Sequence, residues 1–200
     1  MNKTPSKKKY AKMCKLYAEW NEKINVVSRK DIDNLYEHHI LHSLAIYQYM
    51  KDNGLLEDGL EILDLGTGGG FPGIPLATVM PGCHFTLCDS IAKKIRVAQS
   101  VARDLKLSNV DFVNARAETL PGPYDWVVSR AVTSLDEFYP WVKGKFRKGI
   151  LYLKGGDVAE EIAKMCLKCK VDPSKVSIWR INDWLKDDYF EEKFVIEIRK

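Results

Sequence analysis

No apolar run approaches the ~20 residues that a helix needs to cross a bilayer, and no hydrophobic segment follows the lysines at the amino terminus. Neither a membrane anchor nor a secretory leader is therefore expected, and the chain reads as cytoplasmic. Cysteine is scarce and odd in number, five in 200 residues, which argues against a disulfide framework. Metal-ligand patterns are equally thin. Cys166-Leu167-Lys168-Cys169 has no second pair, and its spacing fits one face of a helix. His38 and His42 lie one helical turn apart, yet no nearby carboxylate completes a site, because Glu37 points off that face. No metal is expected, and the His38, His39, His42 cluster is read as packing or as contact with RNA. Acids are missing from residues 1–15, which carry Lys3, Lys7, Lys8, Lys9, Lys12 and Lys15. Without those six charges the net +4 becomes −2 for the other 185 residues, so any polyanion partner is expected at the amino terminus. With 46% hydrophobic residues the chain can bury one full core with an extension.

What the sequence does have is one stretch around which the rest is organised. Ile62, Leu63 and Leu65 form an apolar run interrupted by Asp64, and Gly66, Gly68, Gly69, Gly70 and Gly73 follow within eight residues. This is a buried strand breaking into a tight loop before a helix, with glycines that admit positive φ and close approach of a ligand. Two readings fit. Gly68, Gly70 and Gly73 match G-x-G-x-x-G, and Asp89 lies 21 residues after Gly68, near the place of a dinucleotide's ribose-binding acid. Asp64-Leu-Gly66-Thr-Gly68-Gly-Gly70 also matches D-x-G-x-G-x-G, which resembles the loop of class I methyltransferases that bind S-adenosylmethionine. An acid at the loop mouth disfavours a diphosphate and suits a ligand bearing a sulfonium and an ammonium group.

Along the chain, Thr4-Pro5 reads as a helix cap with proline at the first helical position, followed by a stripe of Tyr10, Met13, Cys14 and Tyr17. After a loop ending in a candidate cap at Ser28, a second helical region is expected from about residue 31 to 50, in one helix or two, closed by Asp52-Asn53-Gly54. This gives a basic helical extension, residues 1–54, before a core of residues 55–200. From Glu61 strands and helices alternate, the signature of a parallel α/β sheet. Strands are expected near 61–65, 83–88, 110–113, 126–129 and 150–153, with helices near 74–80, 91–105, 135–142 and 158–168 between and after them. Two further strands, 176–181 and 193–199, are joined by too few residues for a crossover helix and should pair antiparallel. A parallel sheet ending in an antiparallel pair resembles the methyltransferase fold more than a dinucleotide domain.

Ligands of open α/β sheets bind at the carboxyl ends of the strands. There the sequence places Asp64, Asp89, Asn114 to Glu118, Ser129-Arg130-Ala131 and Lys154-Gly155-Gly156. Asp89 suits ribose hydroxyls, with a helix cap as its plain alternative. The 114–118 segment suits an adenine. Arg130 and Lys154 suit a phosphate-bearing substrate, with ion pairs to Asp125 or Asp157 as the plain alternative. No N-P-P-Y motif follows the fourth strand, and no cysteine nucleophile stands near the fourth or fifth strand end. Guanine N7 needs neither, since its lone pair is free and no proton must leave.

With these residues the chain resembles the bacterial ribosomal RNA small-subunit methyltransferase G family, also called glucose-inhibited division protein B. The resemblance runs from about Tyr17 to the end, through Asn25-Val-Val-Ser28, His39-Ile-Leu-His-Ser-Leu44, Asp64 to Leu76 with its Gly-Phe-Pro-Gly-Ile-Pro extension, Asp89-Ser90, Ser129-Arg-Ala131 and Lys154-Gly155. It implies a class I methyltransferase (Rossmann-like) fold and methyl transfer from S-adenosylmethionine to N7 of a guanine in 16S ribosomal RNA, free or in a small-subunit particle. It also implies that Gly66, Phe71, Ala117, Glu118 and Arg130 contact the cofactor. Asp64, Gly68, Gly70 and Asp89 join that set from the loop reading. Arg130, Lys154 and His39 are the expected substrate contacts, Arg130 is the expected catalytic residue, and a monomer is expected. His42 replaces the aspartate usual in the family, and Glu192 falls near where many members carry arginine. A nicotinamide-dependent oxidoreductase and a non-catalytic RNA-binding protein with a relic cofactor site are the competing functions.

Overall fold

A computed structural model of the chain describes residues 5–200. Lys3 and Thr4 lie outside the described residues. Seven strands form one sheet: β1 (Glu61–Leu65), β2 (His84–Asp89), β3 (Val110–Asn114), β4 (Tyr124–Arg130), β5 (Phe146–Gly155), β6 (Val176–Arg180) and β7 (Lys193–Arg199). Their order is β3-β2-β1-β4-β5-β7-β6. The first five are parallel, while β7 is antiparallel to β6, as the short charged connection required, and also to β5.

Both faces of the sheet are covered, and the strands alternate between two cores with the period of two that a pleated strand imposes. Ile62, Trp126, Val128, Leu151 and Leu153 point to one core; Leu63, Val127, Ile150 and Tyr152 point to the other. The second core is closed by α5 (Leu135–Val142) and α6 (Val158–Cys169). The first is closed by α1 (Ala11–Asn21), α2 (His42–Asp52), α3 (Gly73–Val79) and α4 (Ala92–Asp104). The amino-terminal segment thus shares a core with the sheet: Tyr10, Met13, Tyr17, Ile40, Leu44 and Met50 belong to the same buried cluster as Ile74 and Phe85. No described helix is long and apolar enough to cross a membrane.

Strands β4 and β5 begin earlier than expected, at Tyr124 and Phe146, and the changes of element type lie in the amino-terminal segment. Pro5 precedes the helix instead of opening it; a 3-10 turn at Lys7–Tyr10 leads into α1. Ser28 gives only its carbonyl to a turn with Asp31. The expected 31–50 helix is a 3-10 turn (Ile32–Asn34), a π-helix (Leu35–Leu41) and then α2.

The loop after α1 is closed by one side chain. Asn21 is buried, accepts from the N–H groups of Val26 and Val27 and donates to the Val27 carbonyl, each at 2.9 Å. Asn21→Ala is expected to cost about 2–4 kcal/mol, since three bonds are lost and the buried N–H of Val27 and the half-buried N–H of Val26 are orphaned. The denaturant midpoint measures this, and a shift under about 0.5 kcal/mol, the scatter of ordinary surface changes, would contradict it.

Candidate functional site

The strand order reverses direction at β1, whose neighbours are β2 and β4, and ligands of open α/β sheets bind where this occurs. A cavity of about 580 Å³ opens there, within the range of small-molecule sites. Gly66, Gly68, Asp89, Ala117, Glu118 and Arg130 line it.

The glycine loop forms the floor. Gly66, Gly68 and Gly70 have φ of +73°, +57° and +112°, as the sequence reading expected of them. A Cβ on Gly66 would strike Val132 Cγ2 at 2.4 Å, whereas one on Gly68 would meet nothing within 4 Å. Gly68 therefore offers a bare face to a ligand. Asp89 holds the loop from β2: one carboxylate oxygen accepts from Gly68 N–H at 2.9 Å, the other from Ile91 N–H at 2.8 Å. It combines the turn-capping role with a place in the cavity wall.

Asp64 lies behind the loop, not at its mouth, and does not line the cavity. It is fully buried, and its Oδ2 accepts from Thr67 Oγ1 at 2.5 Å and from Gly73 N–H at 2.7 Å. Its Oδ1 has no hydrogen-bond partner. Burial pushes its pKa up to about 7, against the pull of the two hydrogen bonds and of the Arg130 charge. Gly70 also lies off the cavity wall, while Tyr17 from α1 donates to the Gly69 carbonyl at 2.8 Å and braces the loop from the rear.

Arg130, the last residue of β4, is held on its far side by the amino-terminal segment. Its guanidinium lies 5.2 Å from the centroid of Phe71, donates to the His38 carbonyl at 3.4 Å, and stands 2.9 Å from His39 Nδ1. His39 Nε2 lies 2.7 Å from Asp31 Oδ2, and Asp31 Oδ1 lies 2.5 Å from His38 Nδ1. Burial, then the Arg130 charge, lowers the His39 pKa to about 4, so the imidazole is neutral near pH 7. A guanidinium can only donate, so Nδ1 accepts from Arg130 and the proton sits on Nε2, donated to Asp31. Burial opposes ionisation of Asp31, but the hydrogen bonds from His38 and His39 outweigh it and hold its carboxyl below the usual range. The result is a chain from carboxylate through imidazole to guanidinium.

Asp31 corrects the expectation that no carboxylate lies near the histidines. The 3-10 turn and the π-helix change the angular spacing of residues 32–41, so a side chain seven or eight positions upstream meets both rings. His42, by contrast, is buried with both ring nitrogens unpartnered, its pKa driven well below normal by burial. The His39 hydrogen bonds form without it. His38 stacks on Tyr189, ring centroids 3.6 Å apart.

The structure separates the two expected cations. Lys154 is off the cavity wall, bound to Glu161 at 3.0 Å and to the Thr133 carbonyl at 3.2 Å; neither Asp125 nor Asp157 is its partner. Its neighbour Tyr152 fixes the same turn. The Tyr152 hydroxyl accepts from the Val132 and Thr133 N–H groups at 3.0 and 3.2 Å and donates to the Thr133 carbonyl at 2.8 Å. That holds Ala131, with φ +45°, in the left-handed region that alanine seldom enters. Arg116, from the expected 114–118 segment, and Lys94, one of the lysines after Asp89-Ser90, line the cavity; Trp141 and Val132 also reach it, though no motif marks them and only the fold brings them there. The described residues hold no cluster of three or more His, Cys, Asp or Glu placed to bind a metal.

A family model described as rRNA small subunit methyltransferase G matches residues 6–182. Proteins named ribosomal RNA small subunit methyltransferase G are similar over most of the chain. The one from Flavobacterium psychrophilum is 47% identical, covering 94% of this chain and 88% of its own length. That from Christiangramia forsetii is 48% identical, covering 94% and 87%. Among solved structures, magnesium protoporphyrin IX methyltransferase from Synechocystis with bound SAM superposes with a TM-score of 0.66 at 15% identity, covering 100% of both chains. A SAM-dependent methyltransferase from Aquifex aeolicus superposes with a TM-score of 0.58 at 18% identity, covering 86% of this chain and 98% of the other. At such identities the structural likeness speaks for the fold, which is that of class I methyltransferases.

Proposed function

The chain belongs to the rRNA small subunit methyltransferase G family, and from that premise we propose that it transfers the methyl group of S-adenosylmethionine to N7 of a guanine in 16S ribosomal RNA. We propose further that it acts as a monomer on RNA or on a small-subunit particle, with residues 1–54 as a helical extension that completes the site.

The cavity supports this cofactor in two ways: Gly68 leaves its face bare, and Asp89 and the Ala117-Glu118 turn supply polar groups at the rim. Behind the loop, the buried Oδ1 of Asp64 has no hydrogen-bond partner. When bound, S-adenosylmethionine supplies an electrophilic methyl group on a sulfonium. Asp89 would take the ribose hydroxyls and the 115–118 segment the adenine. Asp64 would offset positive charge through the loop.

The observation that carries the choice over a nicotinamide dinucleotide is the Asp64 to Gly73 hydrogen bond. A dinucleotide seats its diphosphate on the N–H groups where the glycine loop enters the helix. Here the first N–H of α3 is already given to a buried carboxylate, and a phosphate would meet that acid.

Arg130 would orient the base or neutralise a phosphate beside it, pre-set by Phe71 and the His39 pair so that no reorganisation is needed during the reaction. His39 is unsuited to act as a general base, because Nδ1 is occupied by Arg130 and Nε2 carries the proton. Methylation at N7 requires no base, which agrees with this arrangement. Lys154 would steady the turn on which Ala131 and Val132 sit.

Calorimetric titration with S-adenosylmethionine and with NAD tests the cofactor. Saturable binding of the first alone is expected; binding of NAD alone would overturn the reading in favour of hydride chemistry.

A further inference from the structure

Helix α4 leads away from the cavity and breaks a rule of helix stability. Its first turn contains Lys93 and Lys94 and no acid, although the positive end of the helix dipole favours acids there. The pattern continues along the solvent face. Lys93, Arg96 and Arg103, at spacings of three and seven residues, fall on one side of a helix with 3.6 residues per turn, and all three are exposed. Asp104 is the one acid between Ile91 and Lys106, and it is paired with Arg103 at 3.2 Å. Among the described residues, Lys93, Lys94 and Arg96 form no ion pair; Lys93 and Arg96 are exposed to water and Lys94 is partly buried at the cavity.

Both ends of this face meet other cations. At the amino end, Lys94 and Arg116 line the cavity. At the carboxyl end α1 packs against α4, and Lys12 donates to the Asp104 carbonyl, which brings the lysine-rich amino terminus alongside. The thirteen residues of α4 cover ~20 Å at 1.5 Å per residue. We propose that the exposed face of α4 is the docking track for the RNA strand, carrying its phosphates from the cavity mouth towards the lysines of α1. This deepens the methyltransferase reading and rests on it. The charges that disfavour the helix end are placed where a polyanion repays them, and local rules are characteristically broken at functional surfaces.

The test is the triple variant Lys93→Gln, Arg96→Gln and Arg103→Gln, which keeps good helix formers at each position. Binding of a small-subunit RNA transcript is measured against salt concentration, together with melting temperature and S-adenosylmethionine affinity. Each lost phosphate contact lowers the log–log salt slope by ~0.7 for a single strand, so a fall of about two is expected. RNA affinity near 0.1 M salt should fall at least tenfold, with melting and cofactor binding unchanged. Arg96→Glu alone, a milder perturbation of the fold, should weaken RNA binding in the same direction. A wild type that methylates RNA beside variants with unchanged slope and affinity would overturn the track and leave the enzyme reading intact. A wild type with no RNA affinity would remove both. Loss of binding to anionic-lipid vesicles, with RNA binding untouched, would also overturn the track.

Discussion

Arg130→Ala is expected to lower the rate of methyl transfer by about 10²-fold, the usual loss when one preorganised donor is removed from a reacting site. The cost to stability should be smaller. Removing the guanidinium leaves His39 Nδ1 and the His38 carbonyl without their donor and uncovers one face of Phe71, a loss of about 1–3 kcal/mol. Arg130→Lys should recover little, because a compact ammonium cannot reach both acceptors and stack on the ring together. His39→Ala should fall in the same direction, by roughly tenfold, since it releases the guanidinium without deleting it. His39→Asn, which keeps an acceptor near the place of Nδ1, should retain more activity than His39→Gln. Single-turnover rates and denaturant midpoints separate the two effects. An Arg130→Ala enzyme with an unchanged rate would take Arg130 out of the site.

Asp64 governs the second large effect, a dependence of cofactor affinity on pH. In the free protein burial holds its pKa at about 7, well above the ordinary 3.8. A cationic ligand favours the carboxylate, so binding releases a proton whenever Asp64 is protonated beforehand. Affinity should therefore rise with pH up to about 7, by as much as tenfold per unit, and level off above it. Asp64→Asn should flatten the profile and weaken binding at neutral pH. Stability of the free protein carries the same sign check. With the folded pKa raised, the native state binds more protons than the unfolded chain between about pH 4 and 7, so this group makes the protein less stable as pH rises through that window. Calorimetry in buffers of different ionisation enthalpy counts the released proton. No proton release, with a flat affinity profile, would mean that Asp64 does not sense the ligand.

The parts of the fold that the sequence makes legible are those in which one local signal decides. β1 and β7 span the expected 61–65 and 193–199, and the positive-φ glycines Gly66, Gly68 and Gly70 stand where a loop of that curvature needs them. β5 starts four residues earlier than its apolar run, at Phe146, because Arg147 and Lys148 belong to the strand while reading as loop residues. The Asp31–His39–Arg130 chain is of another kind. Its members are 8 and 91 residues apart in sequence, and the first link exists only because a 3-10 turn and a π-helix replace a regular helix. No periodicity built on 3.6 residues per turn can find it. Lys154 illustrates the converse. A cation at a strand end suggests a ligand, but the partner that occupies it, Glu161, comes from a helix whose docking is settled by the second core.

Methyl transfer to a single guanine N7 is the reaction that the site is proposed to perform. The most direct measurement incubates the full chain with S-adenosylmethionine labelled in its methyl group and with small-subunit RNA, free or in particles, and then maps N7-methylguanine by chain cleavage at the modified base. One labelled guanine, lost in Arg130→Ala, is the predicted result. Tight cofactor binding with no label in either RNA, or label on an amino group or a pyrimidine carbon, would contradict it.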